Sequence, residues 1–517
     1  MFQKKTVRIM RLLLMMVLLT SASQAACGSS NNANDAQADV IPFENKITQE
    51  AYTYFTELLK IPRCSGNEQA VSDYLVSFGQ EHGLEVIQDS ALNVMIRKPG
   101  SEGREDEPPV ILQAHMDMVC QKTSDVEHDF LKDPIIPIID GDWVKADRTT
   151  LGADDGGGLS IIMAILASDE LSHPQVEAIF TTDEEVGMVG AKAFDLSVLK
   201  GSRFINLDSE TEGVFTVSSA SSVYIQIPIS IETETSPEGL AAYKLMVKGL
   251  AGGHSGVDID KGHANANILT ANLLNLLENI RIASINGGSA RNAIPRECEA
   301  IILFDESNFT QIEEIVKQAE ADYKTVYLSD VDLTVTLEKT DAISMVMSSD
   351  SQERVIRGIL EMPNGVYSMS PSIDGLVQTS NNLGIVETDE ETVKLTNYLR
   401  SSSFDDENAL IEKIKEHADS IGARAEIAKQ YPVWEYREAS PLREKLIMVF
   451  TDMYGYEPVI EAIHAGLECA LFVEKMPDVD IIAIGMDIVG AHSPDERMSI
   501  SSYDRTYDFL VRLLEEL

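Results

Sequence analysis

Short apolar runs recur along the chain, and the clearest of them end on an acid or an imidazole. Pro109-Val-Ile-Leu112 leads into Gln113-Ala-His115-Met-Asp117-Met118. Val176-Glu-Ala-Ile-Phe-Thr-Thr182 leads into Asp183-Glu184-Glu185-Val-Gly187, and Arg203-Phe-Ile-Asn-Leu into Asp208-Ser-Glu210. Val479-Asp-Ile-Ile-Ala-Ile-Gly485 precedes a loop carrying Ala491-His492-Ser-Pro-Asp-Glu496. Runs of this length and composition predict buried strands. A fifth segment, Thr149-Thr-Leu-Gly-Ala-Asp154-Asp155-Gly-Gly-Gly158, opens onto Leu159-Ser-Ile-Ile-Met-Ala-Ile-Leu166, which reads as a buried helix entered through a glycine-rich turn. The pattern predicts an α/β domain with a mixed, mainly parallel sheet flanked by helices.

Singly, each junction has a plain structural explanation. A histidine at a strand end is commonly a satisfied structural residue, paired aspartates at a helix start are ordinary N-caps, and an acidic turn is ordinarily solvated. Taken together they say more, because ligands in open α/β sheets gather at the carboxyl ends of strands. One pocket can then collect all five junctions. Residues i and i+2 of a strand share a face, so His115 and Asp117 leave the sheet together as a metal ligand and the carboxylate that orients it. Adjacent carboxylates at 183–185 repel one another, and a cation relieves that repulsion.

The donors are two imidazoles and several carboxylates, with no cysteine at the junctions. Such a set suits Zn²⁺ and also Mn²⁺ or Co²⁺. It exceeds what a single tetrahedral ion needs. Two divalent ions about 3.5–4 Å apart, sharing a carboxylate and a water, are therefore expected, which is chemistry for hydrolysing an amide. A general base must sit beside that water without being consumed as a ligand. Spacing alone leaves Glu184 against Glu185, and Asp154 against Asp155, undecided.

His115-Met-Asp117, Gly152-Ala-Asp154-Asp-Gly156, Glu184-Glu185-Val-Gly187, Asn206-Leu-Asp208-Ser-Glu210, Gly252-Gly-His254-Ser-Gly256 and Ala491-His492-Ser-Pro-Asp495 resemble the aminoacyl-histidine dipeptidase (Xaa-His dipeptidase, bacterial carnosinase-like) branch of the dinuclear zinc aminoacylase/carboxypeptidase clan. Asn286-Gly-Gly288, Arg291-Asn-Ala-Ile-Pro-Arg-Glu297, Pro363-Asn-Gly-Val366 and His464-Ala-Gly-Leu-Glu-Cys469 extend the resemblance, which runs from Phe43 to the C-terminus. It implies that Asp154 bridges two ions, that His115 and Asp208 complete one site, and that Glu185 and His492 complete the other. Asp117 would set the tautomer of His115, and Glu184 would be the general base. His254 would stabilise the oxyanion from a lid, while Asn382 and Arg400 would grip the substrate; a guanidinium fork suits a free carboxylate. The implied activity is hydrolysis of unblocked dipeptides, Xaa-His and other short peptides. The alternatives are an N-acyl amino acid amidohydrolase or broader small-peptide hydrolase, and a silent peptide-binding lipoprotein.

The ligand order also sets the organisation. Four junctions end at Asp208 and the fifth comes at His492, a gap too long for a loop. A catalytic domain over 43–221 and 431–517 is therefore interrupted by an inserted α+β lid over 222–430, large enough for two packed subunits. Within it, Tyr243–Lys248 reads as a strand, and 264–280 and 310–323 as helices.

The N-terminus has a different character. Lys4, Lys5, Arg8 and Arg11 precede the apolar run Leu12–Leu19, and small residues lead to Ala25-Ala26-Cys27. This is a signal-peptide layout over 1–26, followed by a polar tether over 27–42. It resembles a bacterial lipoprotein signal with Cys27 acylated, implying an outward-facing, membrane-anchored protein of the cell envelope. Gln24 stands where that signal usually carries an aliphatic residue, so the alternatives are cleavage without lipid and secretion, or a cytoplasmic location like that of most relatives, which lack such a leader. A net charge of −43 over 517 residues excludes a phosphate-neutralising nucleic-acid surface. The expected partners are small dipeptides, with membrane contact only through the lipid anchor, in a monomer or a homodimer. Cys64, Cys120, Cys298 and Cys469 are scattered without paired spacing and read as free thiols.

Overall fold

The computed structural model describes residues 46–517. The leader over 1–26, the tether over 27–42 and Cys27 lie outside the described residues. Among the described residues no helix is long and apolar enough to cross a membrane.

The parts of the chain before Ser222 and after Tyr431 form an eight-stranded mixed sheet in the order Glu85–Gln88, Val94–Lys98, Val176–Thr181, Val110–His115, Arg203–Ser209, Asp480–Gly485, Val214–Ser219, Val459–Ile463. Val110–His115 runs parallel to both neighbours, and Asp480–Gly485 runs parallel to Arg203–Ser209. Every residue of Val110–His115 and Val176–Thr181 is buried, as expected for central parallel strands covered on both faces. The helices Val189–Ala193 and Cys469–Lys475 pack with Ile111, Ile179 and Phe204 on one face. Ala153–Ala167 packs against Val110–His115 and lies beneath Lys46–Leu58 and Ile500–Glu516. That helix is buried almost end to end.

A small four-stranded sheet carries the last junction into place. Its hairpin of Ile488–Val489 and Arg497–Ser499 pairs with Trp143–Ala146. The hairpin loop holds His492 and therefore hangs beside the 149–154 segment that follows Trp143–Ala146.

The chain enters a second sheet at Ser222–Ser230 and leaves it by Glu426–Tyr431. This nine-stranded antiparallel sheet has two halves. Thr334–Lys339, Leu240–Lys248, Cys298–Asp305 and Arg281–Gly287 carry the helices Ala266–Leu276 and Phe309–Val326. Val377–Thr388, Thr392–Ser401, Ser222–Ser230 and Glu426–Tyr431, with Gly365–Met369 paired to the first of them, carry Ser349–Leu360 and Phe404–Ser420. The halves meet at the pair Gly287↔Val386. Gly288 (φ +77°) makes the approach possible, since a Cβ there would sit 1.8 Å from the carbonyl oxygen of Gly384. One apolar core runs beneath both halves.

The reading of four free thiols is corrected in part. Cys64 and Cys120 form a disulfide with a Cα–Cα separation of 5.7 Å, while Cys298 and Cys469 are free and buried. No sequence spacing signals this pair. A parallel bridge, Cys64↔Met118, lays the segment after the first helix alongside the turn that follows His115 and so brings the sulfurs together.

Candidate metal centre

The junctions converge at the carboxyl edge of the catalytic sheet. Val110–His115 ends on a buried imidazole, with His115 in register with Thr181 of the neighbouring strand. The strand stops there, so Asp117 lies in the following turn rather than on the strand. It still reaches back to place Oδ1 3.3 Å from His115 Nδ1, which leaves Nε2 to face the pocket. The same carboxylate accepts from Ser65 Oγ at 2.8 Å and from the backbone amides of Glu184 at 3.1 Å and Glu185 at 3.3 Å. Asp117 thus orients an imidazole and fixes the turn carrying both glutamates.

Asp154 sits between the two imidazoles. Its Oδ1 is 3.0 Å from His115 Nε2 and its Oδ2 is 3.0 Å from His492 Nε2. Asp208 Oδ1 lies 3.6 Å from His115 Nε2, and Glu185 Oε2 lies 2.9 Å from His492 Nε2. Asp155 turns the other way, accepting from the Gly158 amide at 3.1 Å. The backbone explains the divergence, since at 154 and 155 it departs from helical geometry. His492 itself has φ +62°, a conformation uncommon outside glycine and found where a site demands it.

Electrostatics point the same way. Burial pushes Glu184 well above the ordinary carboxylate range, with Asp208, Glu468 and Glu185 adding like charge. Burial and neighbouring acids likewise raise Asp208 to about 6 and Glu468 to about 8. Burial also opposes the charge on Asp154, but hydrogen bonds to the two imidazoles win and hold it far below its usual value. His492 is pushed up to about 11 by Asp154 and Glu185. Four carboxylates, Asp117, Asp154, Asp208 and Glu185, thus share two imidazoles, and Glu185 Oε1 is buried with no hydrogen-bond partner among the described residues. A set that resists its own ionisation and leaves an acceptor orphaned fits cations. His115 with Asp154 and Asp208, and Asp154 with Glu185 and His492, each bring ligand atoms within 4.8 Å of one another.

The residues assigned to the lid divide. His254 and Arg400 come together, with Arg400 Nη2 3.2 Å from His254 Nε2. Arg400 also lies over the Tyr398 ring at 4.9 Å. Asn382 is buried in the lid sheet, where its amide donates to the carbonyls of Arg291 and Ala293 at 3.0 and 2.8 Å. It holds the loop behind the Gly253–His254 strand, which pairs with Ala293–Ile294.

The motif His464-Ala-Gly-Leu-Glu-Cys469 brings two further residues to the cluster. His464 directly follows the strand Val459–Ile463, a sixth strand-to-loop junction of the kind that found the other ligands. It bonds Ser380 Oγ through Nε2 at 2.7 Å and lies among Arg400 and His254. Glu468 is fully buried, accepting from Gln113 and Thr181 at 2.8 and 2.7 Å beneath the cluster.

The disulfide borders this centre, joining residues next to Ser65 and close to Asp117. Replacing both cysteines by serine is expected to cost about 2–4 kcal/mol, because the bond closes a long loop in the unfolded chain. A denaturant titration reads this as a lower midpoint. An unchanged midpoint would mean that the bridge adds nothing to the surrounding hydrogen bonds.

Comparison with known proteins adds to this geometry. Residues 245–331 match the family model of a peptidase dimerisation domain, M20_dimer. Over 473 residues the chain is 35% identical to the cytosol non-specific dipeptidase of Escherichia coli (strain K12), covering 91% of this chain and 98% of that protein. The structure is similar to that of aminoacylhistidine dipeptidase from Vibrio alginolyticus, with TM-score 0.85, 36% identity, and coverage of 92% of this chain and 98% of that one. The aminopeptidase PepT of Bacillus cereus ATCC 10987 shares the fold alone, at TM-score 0.53 and 16% identity over 91% of this chain and 98% of that one.

Proposed function

The chain belongs to the M20 family of metal-dependent dipeptidases, and on that premise we propose that it hydrolyses unblocked dipeptides, Xaa-His among them, at a centre holding two divalent cations. His115, Asp208 and one oxygen of Asp154 would hold one cation; His492, Glu185 and the other oxygen would hold the second. Imidazole with carboxylate favours zinc, with manganese or cobalt as substitutes. When bound, the pair supplies Lewis acidity and lowers the pKa of a water.

The remaining work falls to side chains. Glu184, held by its backbone on Asp117, takes a proton from the attacking water and delivers it to the departing nitrogen. Asp117 keeps His115 in the tautomer that points Nε2 at the cluster. His254 donates to the oxygen that gains charge as the carbonyl is attacked. Arg400 forks onto the free C-terminal carboxylate. The observation that carries this reading is the carboxylate of Asp154, divided between two imidazoles that each have a second acid of their own.

Export belongs to the same reading. The leader layout and Cys27 suggest it, and a disulfide suits an oxidising compartment. The Escherichia coli relative, by its name, is a cytosolic protein.

The test is activity on carnosine, other dipeptides and acetylated amino acids, with metal content measured before and after chelation. Dipeptide cleavage that disappears on chelation and returns with zinc is expected. Preference for acetylated amino acids would move the assignment to an amidohydrolase, and chelator-resistant cleavage would remove the metal from it.

A further inference from the structure

The segment that presents Asp154 is gripped from both sides by buried charges that are not in the proposed ligand set. Glu496 accepts four consecutive backbone amides. Its Oε2 takes Leu151 at 2.7 Å and Gly152 at 2.9 Å, and its Oε1 takes Ala153 at 2.7 Å and Asp154 at 3.2 Å. On the carbonyl side, Arg63 donates through Nη2 to Gly152, and through Nη1 to Met116 at 3.0 Å and Asp117 at 2.9 Å. Both side chains are almost fully buried, Arg63 at 1% and Glu496 at 2% exposure. The glycines of the motif are shaped around the guanidinium. A Cβ at Gly152 or Gly156 would come within 2.7 or 2.6 Å of Arg63 Nη2.

Burying an anion and a cation is costly, although the four amides and three carbonyls they hold are buried and need partners. What the charges add is direction. Arg63 ties the 151–154 backbone to the turn after His115, and Glu496 ties it to the loop that carries His492, more than 340 residues away in the chain. The two imidazoles and the carboxylate between them are thereby referred to one frame.

We propose that Arg63 and Glu496 are positioning residues of the metal centre, a buried cation and a buried anion that clamp the 151–154 backbone by its carbonyl and amide sides and so fix the carboxylate of Asp154 between His115 and His492. This rests on the two-cation reading above. Every contact in the clamp is between atoms of the polypeptide.

Hydrogen exchange on the chelated, otherwise unaltered protein tests this directly. The amides of 151–154 are expected to exchange as slowly as those of the strand Val110–His115; exchange at open-loop rates would overturn the clamp. Glu496→Gln keeps the side chain's shape but offers one acceptor oxygen where four amides share two. Its apparent Kd for zinc is expected to weaken about 10–100-fold, with kcat at saturating zinc falling by less than about threefold and KM for the dipeptide unmoved. A merely structural role would lower the melting temperature and leave the zinc Kd unchanged, and that result would overturn the proposal. Should Glu496→Gln fail to fold, Arg63→Lys decides together with hydrogen exchange. It keeps the charge, but one ammonium nitrogen cannot reproduce the fork in which Nη2 holds Gly152 while Nη1 holds Met116 and Asp117, so the same weakening is expected, and an unaltered Kd counts against the clamp. Native mass spectrometry of the unaltered protein separates the two readings. Fewer than two ions bound would sink the dinuclear centre, while exchange at 151–154 still judges the clamp.

Discussion

Glu184→Gln is expected to retain its full metal content and to lose turnover by about 10²–10⁴-fold, the range a positioned general base contributes. The expectation follows from how one carboxylate divides the two glutamates. Asp117 accepts from both backbone amides, which sets the turn so that Glu185 reaches His492 at 2.9 Å. Glu184 is left near the cluster without that task. Glutamine matches its size and relieves some of the crowding among Glu184, Glu185, Asp208 and Glu468, so folding and metal binding should survive. It cannot accept a proton from water. Loss confined to kcat, with KM for the dipeptide nearly constant, is the signature of a group that acts only in the transition state. Steady-state kinetics with metal analysis of the same sample checks both halves, and retained kcat would remove Glu184 from the mechanism.

Asp154→Asn should have the larger effect on metal. One carboxylate faces both imidazoles through separate oxygens, so both proposed sites lose their shared anion at once. The bound complement is expected to fall from two ions to one or none. Ligand-linked stabilisation should fall with it. A protein saturated at about one hundred times Kd gains about 2.7 kcal/mol from binding, and the variant should show little of that gain. Melting curves with and without added zinc measure this, and a zinc-dependent rise equal to that of the unaltered chain would contradict the bridging role. Asp155→Asn serves as the neighbour control, since Asp155 faces the Gly158 amide instead of the imidazoles.

Much of this centre was legible because strand ends are legible. An apolar run with an abrupt acid or imidazole at its end marks where a chain leaves a buried sheet, and five such marks sufficed to predict one pocket. His464 carries the same mark after Val459–Ile463. That mark is fainter, since the strand lies at the sheet edge and is partly exposed and less apolar. Choices between neighbours were not legible. Asp154 and Asp155 differ by a backbone that departs from helical geometry only at the helix entrance, and Glu184 and Glu185 differ by a turn hung on a distant aspartate. The Cys64–Cys120 pairing and the grip of Arg63 and Glu496 depend on segments brought together by tertiary structure, which neither periodicity nor spacing encodes. Asn382, picked out by motif, spends its amide nitrogen on the loop behind His254, while its buried Oδ1 has no hydrogen-bond partner among the described residues.

The central claim is that one carboxylate joins two cation sites. Anomalous diffraction from crystals of the zinc-loaded protein, recorded on either side of the zinc absorption edge, measures it. Two peaks about 3.5–4 Å apart, one between His115 and Asp208, the other between His492 and Glu185, with Asp154 touching both, are the expected result. A single peak, or two that do not share Asp154, would contradict it.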